Sequence, residues 1–265
     1  MKKKLFFIFL GLIVYWSCQD IAADRDNPFD PGNPDYEPPE VVLTSLQEGE
    51  TINEYDITLA WSGNEKVIEY RWKFEDDEWV DWADITSVDW HYLDEGQHSF
   101  SLQSRYSTGD TSSILTRSFI VDAVEGPALM FYPRAHFVST NTVVTFQILA
   151  EEVSNLTAAE FSIIYDPADL QIISVTQGAL FIASEESIFH TEYDNSTGML
   201  SVLAASLGGN EPSVSGTGVL IEIQINVISA TSSELTFSGS EVFRDPENNN
   251  ITILESVNGR MIVTP

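Results

Sequence analysis

The sequence predicts an all-β protein built of two β-sandwich domains that follow a leader and a polar tether. Three observations predict it. Short runs of alternating apolar and polar residues recur along 41–265, such as Tyr70, Trp72 and Phe74 against Arg71 and Lys73, or Ile221, Ile223 and Ile225 against Glu222, Gln224 and Asn226. Turn residues separate these runs at intervals of roughly 8 to 12 residues, and no stretch shows the period of an amphipathic helix. A glycine-proline break, Ala123 to Pro127, divides the runs into two sets, 41–123 and 127–265.

The chain opens on Lys2, Lys3 and Lys4, followed by an apolar run from Leu5 to Tyr15. That run is roughly half the ~20 residues a membrane-spanning helix needs, so residues 1–17 read as a cleaved export signal. Cys18, the only cysteine, comes directly after it. With Ser17 before it and Gln19-Asp20 behind it, this stretch resembles a bacterial lipoprotein processing site. The resemblance implies that Cys18 carries a lipid, and that the protein is exported, anchored to a membrane by that lipid alone and displayed at the cell surface. A lone cysteine also excludes a disulfide framework, so packing alone must hold the folds together.

Residues 18–40 contain QDIAADRDNPFDPGNPDYEPPE, acidic and proline-rich with no periodicity. Proline stiffens such a segment and like charges extend it, which makes it a tether. Its Asp30 to Asp35 stretch lacks the ligand order of a calcium loop. Lysine and arginine number 12 against 41 aspartates and glutamates, a formal charge of −29 that becomes −32 once the three leader lysines are removed. Such a surface repels nucleic acid and anionic lipid headgroups.

In the first module the runs predict strands at Val41–Ser45, Ile57–Ser62, Ile68–Phe74, Ser87–Tyr92, Gln97–Ser104 and Arg117–Val121. The segments YRWKFEDDEWVDW and LDEGQHSF resemble the immunoglobulin-like repeats of bacterial surface proteins, with Gly96 turning into the penultimate strand. Trp72, Trp79 and Trp82 are expected to fill one small core. The alternative is a sugar-stacking platform, in which Trp79, Trp82 and Trp90 cover the apolar side of a pyranose while neighbouring carboxylates bond its hydroxyls.

In the second module strands are expected at Ala128–Pro133, Thr142–Ala150, Ala158–Tyr165, Leu170–Thr176, Ser187–Tyr193, Met199–Ala205, Val219–Val227, Glu234–Phe237, Ile251–Leu254 and Gly259–Val263. Tyr165-Asp166-Pro167 stops a strand because aspartate bonds its own following backbone and proline cannot donate to a ladder. This stop, the Leu170 to Val175 strand ending at Gly178, Asn195-Ser196-Thr197-Gly198, the Gly216-Thr217-Gly218 turn and the closing Val257-Asn258-Gly259 occur in an order that resembles a cohesin module. The resemblance covers about the last 138 residues and implies a jelly-roll sandwich.

No chemistry of catalysis is legible. His91, His98, His136 and His190 lack companions at metal-ligand spacing, and neither a nucleophile elbow nor a phosphate loop is present. No catalytic residue, metal or cofactor is therefore assigned to the chain. The cohesin resemblance implies a docking receptor for dockerins, small helical modules carried by secreted proteins such as polysaccharide-degrading enzymes. Calcium is then expected on the dockerin and not on this chain. By position it implies a partner-binding face that includes Glu160, Ser162, Ile164, Tyr193, Asp194 and Ser206, with Ser162 and Ile164 following Glu160 on one row by strand alternation. The second functional class is polysaccharide binding, through the same sandwich or through the tryptophan-rich first module.

Overall fold

A computed structural model describes residues 26–181, 187–207 and 213–264. The leader and Cys18 lie outside the described residues. Residues 26–38 are a succession of turns, closed by bonds such as Asn33 N–H to the Asp30 carbonyl at 2.8 Å. They belong to a unit of their own, and residues from Pro39 onward form a second. Among the described residues the only helical element is a single 3₁₀ turn, Ala179–Phe181, and no helix is long and apolar enough to cross a membrane.

The first set of strands is β1 (Val41–Leu43), β2 (Glu50–Ile52), β3 (Ile57–Gly63), β4 (Glu69–Phe74), β5 (Ser87–Trp90), β6 (Gly96–Arg105) and β7 (Leu115–Val121). They form a three-stranded sheet ordered β1-β3-β5 and a four-stranded sheet ordered β2-β7-β6-β4. Alternation in β4 sends Tyr70, Trp72 and Phe74 inward, where Trp61 lies 5.2 Å from Trp72 and 5.8 Å from Phe100, ring centre to ring centre. Gly96, at φ 113°, makes the turn into β6 that a side chain would oppose.

The second set is β8 (Ala128–Tyr132), β9 (Ala135–Val138), β10 (Val143–Leu156), β11 (Ala158–Ile164), β12 (Leu170–Gln177), β13 (Ser187–Asp194), β14 (Met199–Ser206), β15 (Val214–Val227), β16 (Ser233–Phe237), β17 (Val242–Arg244), β18 (Asn250–Ile251), β19 (Glu255–Val257) and β20 (Gly259–Val263). One sheet runs β12-β15-β10-β8-β19. The other runs β13-β14-β11-β16-β20-β9, with β17 joined to β11 and β18. Between them lies a core that includes Phe131, Phe146, Phe161, Ile163, Ile223 and Leu235, all nearly or wholly removed from water. Each such side chain contributes about 1.5–3 kcal/mol on burial, which is how a chain with one cysteine holds a sandwich of this size.

Three expectations change. β10 and β15 run much further than their apolar cores indicate, because register shifts after Ile148 and Ala150 let the pairing continue through polar residues. Of the strand expected at Ile251–Leu254 only Ile251 is in a strand, the short β18, and residues 252–254 connect it to β19 on the other sheet. β2, β9 and β17 are additional, and β2 and β9 are held by parallel pairing to β7 and β20, partners far away in sequence.

Candidate functional site

β13, β14 and β11 are neighbours in one sheet, and their register fixes which side chains share its outer face. Opposed residues of an antiparallel pair point to the same side, and alternate residues point to opposite sides. β11 pairs Ile164 with Met199, Ser162 with Ser201, Glu160 with Leu203 and Ala158 with Ala205. β13 extends those rows with Asp194, Glu192, His190 and Ile188 respectively. Between these outward residues, Ala159, Phe161, Ile163, Leu200, Val202 and Ala204 are buried in the core.

The resulting surface is a grid of four rows. An apolar pair, Ile164 and Met199, stands 47% and 48% exposed beside the Asp194 carboxylate. A polar row follows, where the Ser162 and Ser201 hydroxyls lie 3.3 Å apart beside Glu192. Leu203 comes next, between Glu160 and His190, and the last row joins Ala158, Ala205 and Ile188. Arg244 pairs with Ala158 at the far margin. Large exposed apolar side chains cost solubility unless something covers them, and carboxylates on either side favour a partner that brings donors or positive charge.

The turn that links β13 to β14 is tightly built. Asp194 Oδ1 accepts the Ser196 N–H at 2.8 Å and the Ser196 hydroxyl at 2.7 Å, and these bonds hold its carboxyl below the usual carboxylate range. Asn195 bonds both the N–H and the carbonyl of Ile172, at 2.9 and 3.0 Å. Its Oδ1 also accepts the Tyr165 hydroxyl at 2.7 Å. Burial, with Asp194 and Tyr193 nearby, pushes the Tyr165 phenol up to about 12, so it remains a donor at any physiological pH.

Glu160, Ser162, Ile164 and Asp194 thus lie on one face. Two other expected members do not. Ser206 points into the sandwich, 3% exposed, and its hydroxyl has no hydrogen-bond partner among the described residues. Tyr193 pairs with the buried Leu200, which puts it on the core side of the sheet. There it overhangs the edge and donates its hydroxyl to the Ile173 carbonyl at 3.1 Å. The reason is the same for both: one residue of offset along a strand reverses the face. Met199 and Leu203 were not legible as members because β14 carries apolar residues on both of its faces, and Glu192 and Ile188 because only the register of β13 on β14 aligns them with the grid.

The tryptophans do not share one interior. Trp72 is in the core of the first sandwich, but Trp79 and Trp82 lie outside it, each 4.8 Å from the Arg71 guanidinium. Trp82 also meets Arg105 at 4.6 Å. Cations already occupy these indoles, which leaves less of their faces for a sugar. Trp90 packs against the same core as Trp72, stacked on Phe74 at 4.1 Å. Among the described residues no group of three or more histidine, cysteine, aspartate or glutamate side chains is placed to hold a metal ion.

Comparison with known proteins bears on the second sandwich. The family model of the Cohesin domain matches residues 138–263. Among solved structures, the sixth cohesin of scaffoldin B from Acetivibrio cellulolyticus, in complex with a Cel5 dockerin, is 20% identical, covering 53% of this chain and 100% of that one at a TM-score of 0.47. A non-cellulosomal cohesin from the archaeon Archaeoglobus fulgidus is 19% identical over 52% of this chain and 91% of its own, at a TM-score of 0.43. The OlpA cohesin of Clostridium thermocellum, in complex with a dockerin, is 17% identical over 52% of this chain and 98% of its own, at 0.46. No curated protein matches the chain. On the family match over residues 138–263, the C-terminal sandwich of this chain is a member of the cohesin domain family.

Proposed function

We propose that this protein is a non-catalytic docking receptor: its cohesin domain binds a dockerin-bearing secreted protein through the outer face of β13, β14 and β11. The observation that carries the reading is the grid itself. Ile164, Met199, Leu203 and Ile188 are large apolar side chains left exposed on one regular sheet face, in register with Glu160, Glu192 and Asp194. A helical partner with an apolar stripe flanked by lysine or arginine fits it, since its stripe would cover the aliphatic side chains while its cations met the carboxylates. Sequence features supply the setting: an export signal, a lipidated Cys18 and an acidic tether would present the two sandwiches at the cell surface, in service of polysaccharide breakdown.

The test is capture from the secreted proteins of the source cells on the immobilised chain, with calcium and with chelator, and identification of what is retained. The reading requires a protein with a dockerin module, held in calcium, released by chelator, and lost with Leu203→Asp. Retention of the same protein by Leu203→Asp would move the contact away from this face. Retention of no dockerin-bearing protein would reject the docking function itself.

A further inference from the structure

We propose that the cleft where the first sandwich meets the second binds a neutral oligosaccharide. It lies at the β20-β9 end of the larger sheet, away from the grid on β13, β14 and β11, and is independent of the docking function. One part is an apolar trough of about 480 Å³ lined by Trp90, Tyr92, Phe137 and Ile262. The other is a polar cavity of about 370 Å³ that shares Tyr92 and is lined by Arg134, Arg260, Asp56, Glu234 and Glu255. Both volumes fall in the range of small-molecule sites, about 300–1,000 Å³, and junctions between folded units are a common place for them.

The lining selects the ligand. Phe137, paired with Ile262 on the side of the sheet opposite the buried Met261, is 60% exposed. Trp90 is stacked on Phe74 at 4.1 Å and Tyr92 has the Arg260 guanidinium 5.5 Å from its ring centre, so two of the three rings already have a partner on the protein side. The Tyr92 backbone sits at φ 60°, unusual for a bulky residue, and is held there by its N–H to Asp56 Oδ1 at 2.9 Å. Arg134 is almost wholly buried, and its Nη1 has no hydrogen-bond partner among the described residues. Two guanidiniums face three carboxylates, a near-balanced lining in a protein of charge −29.

A polyanion is repelled by that overall charge. A polyproline segment brings carbonyl acceptors but no N–H groups, and so cannot bond the carboxylates. A sugar has what both halves need: a C–H face for the rings, and hydroxyls that donate to Asp56 or Glu255 and accept from arginine.

Isothermal titration of the full chain in detergent tests this with cellohexaose, xylohexaose and mannohexaose, against oligogalacturonate, chitosan oligomers and a proline-rich peptide. Saturable binding of at least one neutral sugar is expected. Phe137→Ala should weaken it about fivefold, since a ring contact of this kind contributes on the order of 1 kcal/mol, and Phe137→Tyr should retain it. Leu203→Asp should leave it unchanged, which separates this site from the docking face. No saturation by any neutral sugar, equal binding by Phe137→Ala, or preference for the anionic, cationic or peptide probe would each overturn the proposal.

Discussion

Tyr165 donates its hydroxyl to Asn195 Oδ1 at 2.7 Å, and in return Gly198 accepts the Tyr165 N–H at 2.9 Å on its carbonyl. The Tyr165-Asp166-Pro167 stop and the Asn195-Ser196-Thr197-Gly198 turn, about thirty residues apart, are thus one structural unit. Gly198 sits at φ 72°, and a Cβ there would collide with the Tyr165 carbonyl oxygen. Asn195→Ala removes three hydrogen bonds and leaves the Ile172 backbone unpaired, so a loss of about 2–3 kcal/mol is expected in urea denaturation. Tyr165→Phe removes one of them and should cost about 1 kcal/mol. Equal stability of Asn195→Ala and wild type would mean that the two motifs fold independently.

Ser206 and Leu203 separate interior from surface. The Ser206 hydroxyl is buried without a partner, so Ser206→Ala removes an unsatisfied group and should be neutral or stabilising by up to about 1 kcal/mol, with partner binding unchanged. Leu203→Asp alters a side chain that is 37% exposed and should shift stability by less than about 0.5 kcal/mol while weakening partner binding at least about tenfold. Paired measurement of melting temperature and affinity checks both.

Acid should first strengthen this fold and then weaken it. Burial, as the largest cause, raises the carboxyls of Asp94, Glu95 and Glu151 above their ordinary values. The folded state therefore holds those protons more tightly than the unfolded chain does. Their contribution to stability is complete below the unfolded pKa of about 4, and is lost as pH rises through the raised values. Asp194 and Asp245, lowered by hydrogen bonds from Ser196 and Asn249, act in the opposite sense and lose their contribution as pH falls below about 4. Melting temperature should rise from pH 7.5 to about 5 and fall below about 4. Asp94→Asn keeps an acceptor for the Arg134 N–H, now at 2.6 Å, and should show a smaller rise. An identical rise in that variant would assign the effect to relief of overall charge repulsion instead.

Arg134 lies over the Tyr55 ring, its guanidinium carbon 3.7 Å from the ring centre, and so joins residues of the two sandwiches. Burial pulls its pKa down, and Tyr55, Glu95, Glu255 and Asp94 oppose that pull. Arg134→Ala removes the cation beside the half-buried Asp94, Glu95 and Glu255 together with its stack on Tyr55, and should cost roughly 1–3 kcal/mol in urea denaturation followed by tryptophan fluorescence. Lysine at this position should not restore the loss, because an ammonium lacks the planar face that stacks on tyrosine. A wild-type midpoint for Arg134→Ala would show that the contact contributes nothing to stability.

The fold was legible where local chemistry decides it. Alternation in Tyr70 to Phe74 and in Leu220 to Val227 marked strands whose inward residues now form the two cores. β9 and β17 were not legible, being four and three residues long and defined by partners remote in sequence. The site was half legible for a related reason. Alternation within β11 is enough to align Glu160, Ser162 and Ile164, but only the pairing of β11 with β14 brings Met199 and Leu203 beside them. Tyr193 and Ser206 failed because motif position carries no information on strand parity. Trp79 and Trp82 failed because an aromatic can be covered by arginine as well as by a core.

The central claim is that the open face of β13, β14 and β11 docks a dockerin-bearing protein. Surface plasmon resonance of the captured partner over immobilised chain tests it most directly, comparing wild type with Leu203→Asp and with Val143→Asp, a change at a still more exposed apolar residue on β10 of the opposite sheet. The account predicts calcium-dependent binding that Leu203→Asp weakens at least about tenfold and Val143→Asp leaves intact. Binding that survives Leu203→Asp but is lost with Val143→Asp would contradict it, and would transfer the docking function to the other sheet.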